Sequence, residues 1–152
     1  MSAAGTGRSV PLRRLAALTP QECDVLLRAR PVGRVVFVDA RGPVALPVNY
    51  VVDRDDIVFR TTATSSVLAA RYGGTVGFEV DDFDEATHEG WSVLVTGRVS
   101  PVQDAADLLE VERLGVTPWA EGERTRYLRL RIGTVTGRRL VPGVPDGPVA
   151  PS

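Results

Sequence analysis

The strongest constraint on this chain is an alternation of apolar and other residues at period two, broken at short intervals by turn residues. Across 43–53 the alternate positions carry Val44, Leu46, Val48 and Tyr50, Arg54-Asp55-Asp56 supplies a hairpin turn, and 57–61 runs back. The pattern recurs in 91–102, with Trp91, Val93, Val95 and Val99 on one face and Ser92, Leu94, Thr96 and Arg98 on the other. In 127–135, Leu128, Leu130 and Ile132 face inward and Arg129 and Arg131 outward. Strands at 35–39 and 75–80 complete a set of six, the first turned by Ala40-Arg41-Gly42 and the second followed by an acidic loop over 81–90. Pro47 removes a ladder donor and marks an edge or a bulge. Six strands in hairpin order predict an α+β domain on a small antiparallel barrel.

Three short helices fit between the strands. Thr19-Pro20-Gln21-Glu22 has a capping hydroxyl, a proline for the first turn and a glutamate that completes a capping box. Cys23, Leu26 and Leu27 give that helix an apolar face, which makes Cys23 a buried small hydrophobe, and Arg30-Pro31 ends it. A second helix spans 65–72 up to Gly73-Gly74, and 104–114 reads as an amphipathic third. With 152 residues there is room for one domain, 19–140, between a flexible basic arm, 1–18, and a disordered Pro- and Gly-rich tail, 141–152.

Composition narrows the chemistry. A net charge of -1 argues against a nucleic-acid partner, and no apolar run is long enough for a membrane span. The first ten residues lack the apolar stretch of a secretory signal, so a cytoplasmic location is expected. One cysteine and one histidine exclude a disulfide framework and Cys-based or multi-His metal sites. All 18 basic residues are arginine. Schiff-base catalysis by lysine is therefore absent, and a phosphate must be held by guanidinium, hydroxyl or backbone amide groups.

The segment Phe59-Arg60-Thr61-Thr62-Ala63-Thr64-Ser65-Ser66 answers that description. A strand delivers Arg60, five hydroxyl residues fall within six positions, and a helix begins. Helix N-termini favour anions, so Arg60, Thr61, Thr62, Ser65 and Ser66 form a candidate phosphate site. The competing reading is that Thr64 or Ser65 only caps the helix. Asn49, beside Pro47 in an apolar strand, needs a polar partner, which is either a ligand or neighbouring backbone. The acidic residues Glu79, Asp81, Asp82, Asp84, Glu85 and Glu89 fit no EF-hand spacing and are expected on a solvated surface or paired with arginines, with no metal. His88, within that stretch, is either a proton donor or an incidental loop residue.

Three segments in order, GRVVFVDARGPVALPVNYVVDRDDIVFRT, VGFEVDDFDEATHEGWSVLVTGRV and RYLRLRIGTVTGRRL, resemble the flavin-binding split-barrel family related to pyridoxamine 5'-phosphate oxidase, in particular its small members akin to nitroimidazole-resistance flavoproteins. The resemblance implies a six-stranded antiparallel split β-barrel, a homodimer with two clefts between subunits, and FMN as cofactor for oxidoreductase chemistry on a small-molecule substrate. It places Arg60, Thr61, Thr62, Ser65 and Ser66 at the phosphate, Asn49 near the ring, Trp91 and Ser92 toward the phosphate and ribityl chain, and Trp119 against the ring from the other subunit. Packing in the core or at an interface is the alternative for Trp91 and Trp119. Ser66 stands where relatives often have lysine, and Arg71 is a candidate to compensate. That departure leaves two alternatives beside FMN, a reductase using the deazaflavin F420 and a non-catalytic flavin- or haem-binding module. The chain is short and offers no assignable basic residues for a second, substrate phosphate, which argues against the oxidase activity itself.

Overall fold

The computed structural model describes residues 10–69, 75–117 and 126–143. Its elements are β1 (Arg13–Ala17), α1 (Pro20–Leu27), β2 (Val32–Asp39), β3 (Gly42–Asp53), β4 (Asp56–Thr61), α2 (Thr64–Ala69), β5 (Val76–Asp84), β6 (Glu89–Pro101), α3 (Ala105–Arg113) and β7 (Arg126–Pro142). The strands form one antiparallel sheet in the order β1-β7-β4-β3-β2-β5-β6, and a further pairing of β6 with β7 closes it into a barrel. The fold class is the α+β antiparallel barrel expected, with seven strands among the described residues where six were predicted.

Several boundaries differ from expectation, the larger ones through long-range pairing. β7 continues to Pro142, past the predicted end at 135, and its far half pairs with β6 and offers an edge to β1. Arg13–Ala17 therefore belongs to the sheet and not to a loose arm, and Val141 and Pro142 belong to β7 and not to the tail. Residues 1–9 and 144–152 lie outside the described residues. The acidic stretch is a β-hairpin: β5 runs through Asp84, β6 starts at Glu89, and only 85–88 turn. His88 takes a positive φ of 55°, in the region histidine tolerates better than most side chains, while Asp84 Oδ1 accepts from the amides of Ala86 (2.8 Å) and Thr87 (3.2 Å). The second helix starts at Thr64, one residue early; 70–74 are outside the described residues.

The predicted capping box of α1 is present. Glu22 N donates to Thr19 Oγ1 at 3.2 Å and Thr19 N to the Glu22 carboxylate at 2.8 Å. Cys23 and Leu27 are buried by this helix, and the Tyr50 hydroxyl donates to Leu27 O, tying its end to β3. Burial holds the Tyr50 phenol well above its ordinary pKa.

Inward positions of the strands fill the barrel. Val35, Tyr50, Ile57, Phe59, Phe78, Val80, Val93, Val95, Leu128 and Leu130 are buried, with Tyr50 edge-on to Phe78 at 4.9 Å. A second cluster forms outside: α3 and the turn after it bring Val102, Val111 and Val116 against Val58, with Val51, Leu108 and Tyr127 at its margin. Ile57, Val58 and Phe59 are consequently all fully buried, so β4 is covered on both faces. At the β6–β7 irregularity between Thr96 and Gly97, any side chain at Gly97 would place its Cβ 1.9 Å from Arg131 O. Only glycine permits that approach of backbone to backbone.

Candidate functional site

The outer face of β3, β4 and β7 is where the charged residues of these strands collect. Register sets Arg60 between two neighbours, Asn49 on β3 and Tyr127 on β7. Farther along the same face, Val58 is opposite Val51 and Arg129. This face therefore carries two arginines with different surroundings.

Arg129 donates to Asp53 (3.0 Å), Asp56 (3.2 Å) and Asp107 (2.7 Å), the last reaching across from α3. Desolvation works against its charge, and the hydrogen bonds it donates to Asp53 and Asp107 overcome it, leaving the guanidinium pKa raised. Arg60 has no carboxylate partner among the described residues. Its Nε is buried with no hydrogen-bond partner, a state it shares with Arg13 Nε, and its Cζ lies 5.0 Å from the centroid of the Tyr127 ring. Arg13, however, engages Nη2 with both Thr87 O (3.1 Å) and the Glu89 carboxylate (3.5 Å).

The hydroxyl-rich turn after Arg60 divides by direction. Thr61 is buried; its Oγ1 accepts from Ala63 N at 3.0 Å and its carbonyl accepts from Thr64 Oγ1 at 3.1 Å, so Thr61 and Thr64 build the turn into α2. Thr62 and Ser66 are exposed beside it. The Ser65 side chain lies outside the described residues, as do Arg71 and Trp119.

Across the sheet, the row that begins at Arg60 and Asn49 continues to Val32 on β2, and Asp81 on β5 leads to Ser92 on β6. Between these ends opens a cleft of about 240 Å³ lined by Arg30, Pro31, Val32, Gly33, Arg34 and Asp81. Counted through β3, β2 and β5, Ser92 is four strands from Arg60, roughly 19 Å along the curved sheet at about 4.8 Å per strand. Trp91, its neighbour in sequence, points the other way and packs against the barrel core. Asn49 and Arg60 are thus neighbours in register, Thr62 and Ser66 are exposed in the turn and helix that follow Arg60, Ser92 lies on β6, and Trp91 faces the core.

The acidic residues are largely matched within the chain. Arg34 pairs with Glu79 (3.0 Å) and Asp81 (3.4 Å), Arg30 with Asp82 (3.4 Å) and Arg13 with Glu89. Burial, and then the neighbouring Asp81, push the Glu79 carboxyl above its usual range. No group of His, Cys, Asp and Glu suited to a metal ion occurs among the described residues, and no helix among them is long and apolar enough to cross a membrane.

The sequence pattern of pyridoxamine 5'-phosphate oxidase matches residues 19–139, nearly all of the folded part. The chain belongs to the pyridoxamine 5'-phosphate oxidase family. Within the family's reach, an uncharacterised protein of Mycobacterium tuberculosis is 33% identical over 144 residues, covering 90% of this chain and 94% of that protein. Among solved structures, an FAD-binding protein from Mycobacterium smegmatis is 34% identical, with a TM-score of 0.66 and coverage of 82% of this chain and 96% of that one. A protein of Corynebacterium glutamicum provisionally assigned as a pyridoxamine 5'-phosphate oxidase is 26% identical, with a TM-score of 0.73 and coverage of 86% and 96%.

In this member of the pyridoxamine 5'-phosphate oxidase family, the two residues that the sequence reading did not single out are Tyr127 and Asp107. Both gain meaning only from pairing: Tyr127 from the β4–β7 register, Asp107 from the docking of α3. The one local signal was an aromatic residue at the head of a strand whose other outward positions are arginines.

Proposed function

We propose that this protein is a flavin-nucleotide-binding oxidoreductase acting as a cytoplasmic homodimer, with FMN as the nucleotide and Arg60 as the anchor for its phosphate. The observation that carries this reading is the state of Arg60: a partly buried guanidinium with an orphaned Nε and no carboxylate among the described residues. A buried donor without a partner is costly, and an anionic ligand would supply the missing charge with charge-assisted hydrogen bonds. The residues present therefore fit a phosphate. Because α2 is short, the guanidinium and the exposed hydroxyls of Thr62 and Ser66 carry the binding in this reading, not a helix dipole. Thr61 and Thr64 hold the turn that presents them.

A bound flavin supplies hydride or electron transfer to a small-molecule acceptor; the protein supplies position and electrostatics. Asn49, adjacent to Arg60 in register, stands where the family resemblance puts a residue near the flavin ring. Ser92 lies too far across the sheet to share one phosphate with Arg60, which is consistent with a cofactor lying along the face or with Ser92 serving a second subunit, to which Trp119 would also belong. His88, exposed in the β5–β6 turn, is assigned no proton transfer. FAD is the second reading, favoured by the 34% identity to an FAD-binding protein. It uses the same corner, since FAD also carries phosphate.

The test is the identity of what the protein retains. Mass and absorbance of the small molecule released from freshly purified protein distinguish FMN, FAD and a deazaflavin, whose band lies at shorter wavelength. Apoprotein that takes up none of these in titration would overturn the reading. Steady oxidation of a reduced nicotinamide or deazaflavin by the loaded protein supports an enzyme, and binding without turnover would reduce it to a carrier or sensor. Light scattering checks the dimer, and a strict monomer would contradict that part.

A further inference from the structure

Arg60 is presented on the outer face of the barrel by an aromatic platform. Its Cζ lies 5.0 Å from the Tyr127 ring centroid, within the distance at which a cation is attracted to a ring face. Tyr127 is its direct cross-strand partner on β7, and Asn49 flanks it on β3. Tyr127 is itself backed by the outer cluster, in which Val111 of α3 and Val116 after it are buried with Val58 and Val102 of the sheet side. Arg129 holds α3 to the sheet through Asp107 at 2.7 Å. A guanidinium on a flexible stem normally samples many rotamers, and ordering it on binding lowers affinity. A ring that holds it without neutralising its charge removes that cost, which a carboxylate partner would not do.

We propose that Tyr127 is a positioning residue for the flavin phosphate: its ring fixes the Arg60 guanidinium while leaving its charge free for the anion. This rests on the reading of Arg60 as the phosphate anchor. Tyr127 acts through Arg60 and does not itself meet the ligand.

The experiment compares FMN with riboflavin, which lacks the phosphate, by titration of apoprotein variants. Tyr127→Phe keeps the ring and binds FMN as wild type does. Tyr127→Leu weakens FMN binding by about tenfold and leaves riboflavin unchanged, the size expected for a partly desolvated cation–π contact. In an Arg60→Ala background the same Tyr127→Leu change has no further effect. Stepwise fluorination of a phenylalanine placed at position 127 preserves the shape and weakens the ring's attraction for a cation, so FMN affinity falls with each fluorine. This series keeps the test sound even where Tyr127→Leu fails to fold. Equal loss for FMN and riboflavin, a full additional loss in the Arg60→Ala background, or a flat fluorination series would each overturn the role of Tyr127 while leaving the flavin reading intact. A wild-type protein that binds no flavin would overturn both.

Discussion

Arg60 and Arg129 occupy the same outer face of the same pair of strands, and their surroundings are opposite. Arg129 is enclosed by three carboxylates and is fully engaged in holding α3 and the β3–β4 turn together. Arg60 has a ring beneath it, an amide beside it and no carboxylate among the described residues. The difference separates a charge used for architecture from a charge held available. A guanidinium used to hold the fold together receives its counter-charge from the chain; one that is left without it is suited to receive an anion from outside.

The largest expected effect falls on Arg129. Arg129→Met leaves Asp53, Asp56 and Asp107 facing one another at partly buried positions, and denaturant unfolding should show a loss of roughly 2–4 kcal/mol. Stability close to wild type would mean that the three contacts contribute little and that Arg129 is no more structural than Arg60. Next in size is Arg60→Leu, where binding and stability should part company. Affinity for a flavin nucleotide should fall by about 1.5–3 kcal/mol, the value of a hydrogen bond to a charged group. Unfolding stability should fall by no more than about 1 kcal/mol, since the substitution removes a cation–π contact and an orphaned donor but no ion pair. A large loss of stability on Arg60→Leu would identify it as structural after all.

A smaller change tests the link between the two regions. Asp107→Asn removes one of the three charges that hold Arg129 and loosens α3, and with it the backing of Tyr127. Stability should drop by about 0.5–1.5 kcal/mol, and hydrogen exchange in α3 should quicken more than exchange in the barrel. Uniform acceleration throughout would show that α3 is not a separately held unit. The smallest effect concerns Glu79. Burial and Asp81 raise its folded pKa above the unfolded value, so the folded protein holds that proton more tightly. The associated stability is present in acid and declines as pH rises through the folded value. Glu79→Gln should therefore be slightly more stable than wild type at neutral pH, by a few tenths of a kcal/mol, with the gap closing in acid. A variant less stable at neutral pH would show that the Arg34 pair outweighs burial.

Much of this molecule is legible in its sequence because the informative signals are local. The capping box of Thr19 and Glu22, the turn at Arg54-Asp55-Asp56 and the alternation around Val48 and Tyr50 are each encoded within a few residues, and each appears as read. The missed pieces depend on distant partners. Arg13-Arg14-Leu15-Ala16-Ala17 has no strand period, and it becomes β1 only because β7 extends far enough to offer Arg138 and Leu140 as partners. The acidic hairpin was hidden because Asp81, Asp82 and Asp84 look like loop residues until Arg30 and Arg34 are seen opposite. At the candidate site, Arg60 and the hydroxyls are visible in one stretch of sequence. That Thr61 turns inward, that Trp91 and Ser92 face opposite ways, and that Tyr127 underlies Arg60 follow from register, which no single segment contains.

The most direct measurement is the ratio of riboflavin to FMN dissociation constants in wild-type and Arg60→Leu protein. This ratio isolates the phosphate from the ring. Wild type should prefer FMN by at least about tenfold, and Arg60→Leu should remove most of that preference without altering riboflavin binding. An equal preference in the two proteins would contradict it, because the phosphate would then be held elsewhere and the open charge on β4 would have another purpose.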